Sequence, residues 1–177
     1  MGERMKRPVG LAALAGLCAA FAAAPALAGA PADGLVTLDG VSGAVPGMRP
    51  AQVAEALGAP VRLIGPAADV CRVAMISAGP LRGYAIFENR RLGALFFEKG
   101  ARTGRGIRIG SRVADLEEAY GARLRVQPDT YVPGARNMFV RRAKAPHWEL
   151  RFDVSSAGKV TAIAQGARQV RYVEACS

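Results

Sequence analysis

Apolar positions along the chain fall into a few short runs whose spacing changes from helical to extended and back. In Gly47 to Pro60, Val53, Ala56 and Leu57 stand at i, i+3 and i+4, one face of a helix. Pro50 suits a first helical position, where a fixed φ and a missing N–H cost nothing; Gly58 can take the left-handed stop, and Pro60 prevents resumption. Leu35 to Leu38 reads as a short strand before it. Asp69 to Ser77, Leu81 to Glu88 and Arg91 to Lys99 read as three strands after it, the last two joined as a hairpin by Asn89-Arg90. Leu92 to Phe97 is apolar at every position apart from Gly93. That pattern expects a strand covered on both sides, or one that meets another part of the protein.

The pattern then returns. Val113, Leu116 and Tyr120 lie at i, i+3 and i+7, with Ser111 as the expected N-cap and Gly121 as the stop. Strands are expected at Arg136 to Arg142, His147 to Val154, Lys159 to Gln165 and Arg168 to Glu174. Gly47, Val53 and Gly58 recur 63 residues later as Gly110, Leu116 and Gly121. Phe87-Glu88 recurs as Phe152-Asp153, and Lys99-Gly100-Ala101-Arg102 as Gln165-Gly166-Ala167-Arg168, a drift expected where loops gain residues. The expected fold class is therefore α+β: two tandem repeats of a short helix packed on an antiparallel sheet, over residues 29–100 and 101–177.

Residues 1–28 stand outside that fold. Arg4, Lys6 and Arg7 form a basic start, Val9 to Ala24 an apolar stretch, and Ala26-Leu27-Ala28 a small-x-small cleavage site. At about 16 residues the stretch is shorter than the roughly 20 a membrane span needs, so a cleaved secretory signal is expected and the mature protein is placed in the periplasm or outside the cell. The chain has 24 Lys and Arg against 14 Asp and Glu; without Arg4, Lys6, Arg7 and Glu3 the net charge of +10 becomes +8. This balance suits an anionic partner, or only keeps the surface solvated. With no run of four basic residues, it argues against nucleic acid.

Once Cys18 is lost with the signal, Cys71 and Cys176 remain, and an even pair in an exported chain points to a disulfide. No Cys-x-x-Cys spacing suggests redox chemistry. His147 is the only histidine, and Glu149 and Asp153 alternate with Arg151 as cross-strand ion pairs do, so no catalytic, cofactor or metal constellation is expected.

Gly47-Met48, Val53 and Leu57-Gly58-Ala59-Pro60 resemble the Gly-Met, Val, Leu-Gly-x-Pro signature of the small lipoprotein of the outer-membrane β-barrel assembly machinery and its relatives. Those share short helices on an antiparallel sheet with the β-lactamase-inhibitor-protein fold, and two tandem units resemble the inhibitor more than the single-unit lipoprotein. Gly106 to Gly110 and Tyr172 to Cys176 also resemble a group of exported proteobacterial proteins. The resemblance covers roughly residues 40–177 and implies a scaffold rather than an activity.

The candidate working surface follows from alternation. Trp148, Leu150, Phe152 and Val154 are expected on the core side, with His147, Glu149, Arg151 and Asp153 on the other. With Arg141 and Arg171 on neighbouring strands, that second face is either a charged binding platform or a solvated surface. Tyr131, on the loop from Pro128 to Arg136, is a further contact candidate. The expected function is a non-enzymatic protein-interaction module, an inhibitor or envelope assembly accessory, whose partner-binding residues are Tyr131, Arg141, His147, Glu149, Arg151 and Arg171. The alternative is a binder of an anionic envelope polymer or lipid headgroups through the arginine-rich face.

Overall fold

The structure is a computed structural model that describes residues 1–2, 32–144 and 146–176. The secretory signal expected over residues 1–28 lies outside them apart from Met1 and Gly2. In chain order the elements are β1 (Leu35–Thr37), β2 (Gly40–Val41), α1 (Pro50–Leu57), β3 (Cys71–Ala78), β4 (Leu81–Glu88), β5 (Arg91–Lys99) and β6 (Arg102–Thr103), then α2 (Val113–Tyr120), β7 (Leu124–Pro128), β8 (Arg136–Arg141), β9 (Glu149–Val154) and β10 (Val160–Gly166). Among the described residues the fold is mixed α+β, with one large antiparallel sheet, one small sheet and two short α-helices.

Helix α1 forms as its punctuation requires. Pro50 is its first residue, and Gly58 caps it in the left-handed conformation at φ 60°. Its N-cap is Arg49, whose backbone N–H donates to Gln52 Oε1 at 2.9 Å. Helix α2 repeats that contact from Arg112 to Asp115 Oδ2 at 2.7 Å. Ser111, the expected cap, instead accepts from the Arg108 N–H. Eight residues cannot hold a helix alone, so each is fixed by what it buries: Val53 and Leu57 in α1, Leu116 and Tyr120 in α2. Each fully buried Val or Leu contributes about 1.5–3 kcal/mol.

The sheet has seven strands in the order β3-β4-β5-β10-β9-β8-β7. Two meanders therefore run inward and meet where β5 pairs antiparallel with β10, Phe97 opposite Ile163. The β4–β5 turn holds Asn89 and Arg90 at φ 51° and 58°, as a two-residue hairpin demands. Leu92 through Phe97 are all buried, with helices on one side of β5 and the C-terminal segment on the other, so the continuous apolar run marks a doubly covered central strand. Strands β2, β1 and β6 form a separate small sheet.

Two further expectations need correction, and one strand lies where the sequence pattern assigned none. Arg168 to Glu174 is not a strand: Arg168–Arg171 is a 3-10 turn, and the chain then crosses the sheet as an irregular strap. Trp148 is only half-buried, in the link before β9, under the Arg142 guanidinium 5.6 Å from its ring centre. Leu124–Pro128, unassigned in the sequence, is the edge strand β7.

Candidate functional site

The alternation in β9 sorts its side chains as expected: Leu150, Phe152 and Val154 join the helix-side core. On the opposite face, however, the strap of residues 167–176 covers Ile86, Ala94, Phe96 and Ala164 with Val170, Tyr172 and Ala175. Gly93 permits the approach, since a Cβ there would lie 2.6 Å from the Gln169 side chain, and its carbonyl accepts the Ala167 N–H at 2.8 Å.

Arg151 is the fixture beneath the strap. Only 8% exposed, it donates to the backbone carbonyls of Val170 at 3.1 Å and Tyr172 at 3.0 Å, to Asn137 Oδ1 at 3.2 Å and to Asp153 Oδ1 at 2.5 Å. Glu88, at the end of β4, accepts from Arg168 at 2.6 Å, Gln169 at 3.0 Å and the Tyr172 hydroxyl at 2.9 Å. Those donors, the Arg168 guanidinium first, hold the Glu88 carboxyl below the usual carboxylate range. Asp153 is pushed the other way, because burial outweighs its neighbour Arg151. The far end of the strap is tied by the Cys71–Cys176 disulfide, with Cα atoms 5.4 Å apart.

The six expected partner-binding residues therefore separate. Arg151 and Glu149, at 8% and 5% exposure, are buried and internally paired, so neither is the open contact residue expected. They were placed on the right face; what alternation along one strand does not reveal is a cover arriving from distant sequence. Tyr131 is exposed, and its hydroxyl donates to Glu174 of the strap. His147 is exposed on the irregular link before β9, off the strand on which it was expected. Arg141 and Arg171 remain accessible, with side chains 62% and 42% exposed.

Arg141 and Arg171 meet at a groove of about 460 Å³ that also gathers Arg123 and Arg125 around Glu149 and Phe139. Each wall has a local origin. Gly121 ends α2, and the following turn delivers Arg123 and then β7. Register sets Arg125 opposite Phe139 and Arg141 opposite Glu149. The strap brings Arg171, which grips Glu149 through two nitrogens at 2.6 and 2.8 Å and lies 4.6 Å over the Phe139 ring. Glu149 in turn holds the Arg171 guanidinium protonated more firmly than usual. Arg141 stands 3.8 Å from the same carboxylate. Two guanidinium groups, of Arg171 and Arg141, thus approach one buried carboxylate, while Arg125 donates to the Ala122 and Leu124 carbonyls at 2.8 and 3.0 Å. With Arg123 the groove lining carries four arginines against one carboxylate, an excess of three positive charges that suits oxyanions. Arg123 and Arg125 are the members that the sequence reading missed. Their signal was two arginines spaced i, i+2 just after a helix stop.

A second basic groove, about 770 Å³, is lined by Arg49, Arg90 and Arg91 at the start of α1 and the β4–β5 turn. Among the described residues, no group of three or more His, Cys, Asp or Glu side chains is placed to hold a metal ion, and no helix is long and apolar enough to cross a membrane.

The chain matches no family model and no curated protein. Among solved structures it is similar to a DUF4309 family protein (YjgB) from Bacillus subtilis subsp. subtilis str. 168, with a TM-score of 0.46 and 14% identity, covering 72% of this chain and 84% of that one.

Proposed function

We propose that the chain is an exported, non-enzymatic interaction module, an inhibitor or envelope assembly accessory, that engages a partner protein through the groove of Arg123, Arg125, Arg141 and Arg171. The observation that carries this reading is a single groove lined by four arginines and one buried carboxylate, Glu149, which is gripped by Arg171 and approached by Arg141. The contact surface is displaced from the centre of the sheet face, which the strap occupies, to its β7–β9 margin. The scaffold under this reading is a tandem pair of units, residues 29–100 and 101–177. Two features support the pair: the matching caps Arg49 to Gln52 and Arg112 to Asp115, and the pairing of Phe97 with Ile163, 66 residues apart and equivalent under the repeat. The Cys71–Cys176 bridge supports an oxidising compartment, the periplasm or the exterior.

The test is capture from an envelope extract by the wild type and by a variant with Arg123, Arg125 and Arg141 changed to Glu. A specific protein retained by the first and lost by the second is expected; equal recovery by both would overturn the reading. A second reading, an anionic envelope polymer or lipid headgroup, is favoured by the Arg49, Arg90 and Arg91 groove, which lies at the same end of the sheet as Arg141 and Arg171. Its mark is affinity that falls steeply with salt and needs both grooves.

A further inference from the structure

The arginine groove borders the sheet edge formed by β7. Which backbone groups face outward there follows from one bond. The Asp129 N–H donates to the Ala135 carbonyl at 3.0 Å, which makes that cross-strand pair a hydrogen-bonded one. Such pairs alternate in an antiparallel ladder, so Gln127 and Arg125 point to β8, while Leu124, Val126 and Pro128 turn outward. Leu124 is already occupied: its N–H donates to Gly121 O, and its carbonyl accepts from Arg125 Nη1 at 3.0 Å. Pro128 has no N–H. Val126 is then the one outward residue with both a donor and an acceptor to offer, and Pro128 adds a carbonyl.

The side chains around this edge differ by face. Arg125 lies with Phe139 and Arg141 on the groove side, whereas Val126 pairs with Met138 on the helix side and is 54% exposed. Arg125 and Pro128 are the residue types that discourage one edge from pairing with another copy of itself. The same positive charge attracts a strand of opposite sign.

We infer that the β7 edge and the arginine groove form one docking site for an extended acidic protein segment that adds as a strand beside β7. Its acidic side chains, at alternate positions, face Arg125, Arg141 and Arg123; its intervening apolar side chains lie on Val126. This rests on the groove being the working surface, and it names the shape and pattern of what the groove takes. The charge excess selects the acidic face of the ligand, and the Val126 N–H and C=O fix its register.

The probes are capped peptides on the full mature chain: one alternating Glu and Val, an isomer with all Glu at one end, a version with Lys for Glu, and polyglutamate. The alternating peptide should bind roughly tenfold tighter than the block isomer, the worth of one or two backbone hydrogen bonds, and should slow exchange of the Val126 amide. The Lys peptide should not bind. A Val126→Pro variant, which loses the outward N–H and leaves the groove charges in place, should lose that tenfold preference. If both isomers and polyglutamate bind equally, and binding disappears in an Arg125→Glu, Arg141→Glu variant, strand addition is overturned and the groove reading stands. If no acidic probe binds, or that variant binds as well as wild type, the groove reading itself falls. A Val126 amide already protected by self-association also overturns the proposal. The isomer comparison uses unaltered protein, so it decides the matter whether or not the Pro variant folds.

Discussion

The two faces of the seven-stranded sheet are both sealed, and the seals differ in kind. On one face α1 and α2 lower Val53, Leu57, Leu116 and Tyr120 onto Phe87, Leu95, Phe97, Phe152 and Ile163, and the closure is spread over many apolar contacts. On the other, a ten-residue strap spans a small apolar cluster and is held at a few points: Arg151, Glu88, Arg171 and the disulfide. A seal of many weak contacts fails with the whole fold, because each contact depends on neighbours already in place. One held at discrete points opens locally when a point is removed.

The largest expected effect lies on the strap side. Changing Cys71 and Cys176 together to Ser should lower unfolding stability by about 4–5 kcal/mol in the chain-entropy account of a bridge this long, and should speed amide exchange of residues 168–176 first. A loss under about 1 kcal/mol, well below the chain-entropy figure, would show that the polar fixtures hold the strap without the bridge. On the helix side Phe152→Ala should cost about 3–5 kcal/mol, measured by denaturant melting, with exchange rising throughout the sheet. Selective opening of the strap in that variant would break the distinction between the faces.

Arg151→Ala should cost about 3 kcal/mol, because two strap carbonyls and Asp153 lose a buried partner. Limited proteolysis near Tyr172 should detect it before any global transition does. The smallest effect is pH-dependent and concerns Glu88. Its folded carboxyl is held below the ordinary range, so its contribution is complete above that range and is lost as pH falls through the depressed value. Strap protection in wild type should therefore decline on acidification. A Glu88→Gln variant should start lower near neutrality and meet the wild-type curve in acid. Asp153, raised by burial, acts with opposite sign, costing the fold as pH rises through its own value. Parallel curves for the two proteins would remove Glu88 from the strap's fixtures.

Features encoded locally were legible in the sequence. Pro50 and Gly58 bound α1, and Asn89-Arg90 bounds β4 and β5, because each acts through its own backbone angles. The Cys71–Cys176 pair needed only counting and compartment. Strand β7 was missed because Leu124–Pro128 lies at an edge, mostly exposed, with no buried alternation to announce it. The strap was misread as a strand because Val170 and Tyr172 alternate with polar neighbours, while Gly93, which seats it, is more than seventy residues away. Of the proposed working surface, Arg141 and Arg171 were legible as charges on one face; that Glu149 and Arg151 would be consumed internally depends on that distant cover.

The bridge joins residues 105 positions apart, and chains are made from the N-terminus onward. Strands β3, β4 and β5 can pair before β10 and the strap exist, and throughout that interval Ile86, Ala94 and Phe96 face solvent beside an unpaired Cys71. Closure of the second face thus waits on the last residues of the chain: without residues 168–176 the earlier part leaves both an apolar patch and the Cys71 thiol uncovered. A chain halted before Arg168 is expected to bind a hydrophobic dye and react with a thiol reagent at Cys71, and completed, oxidised protein to do neither.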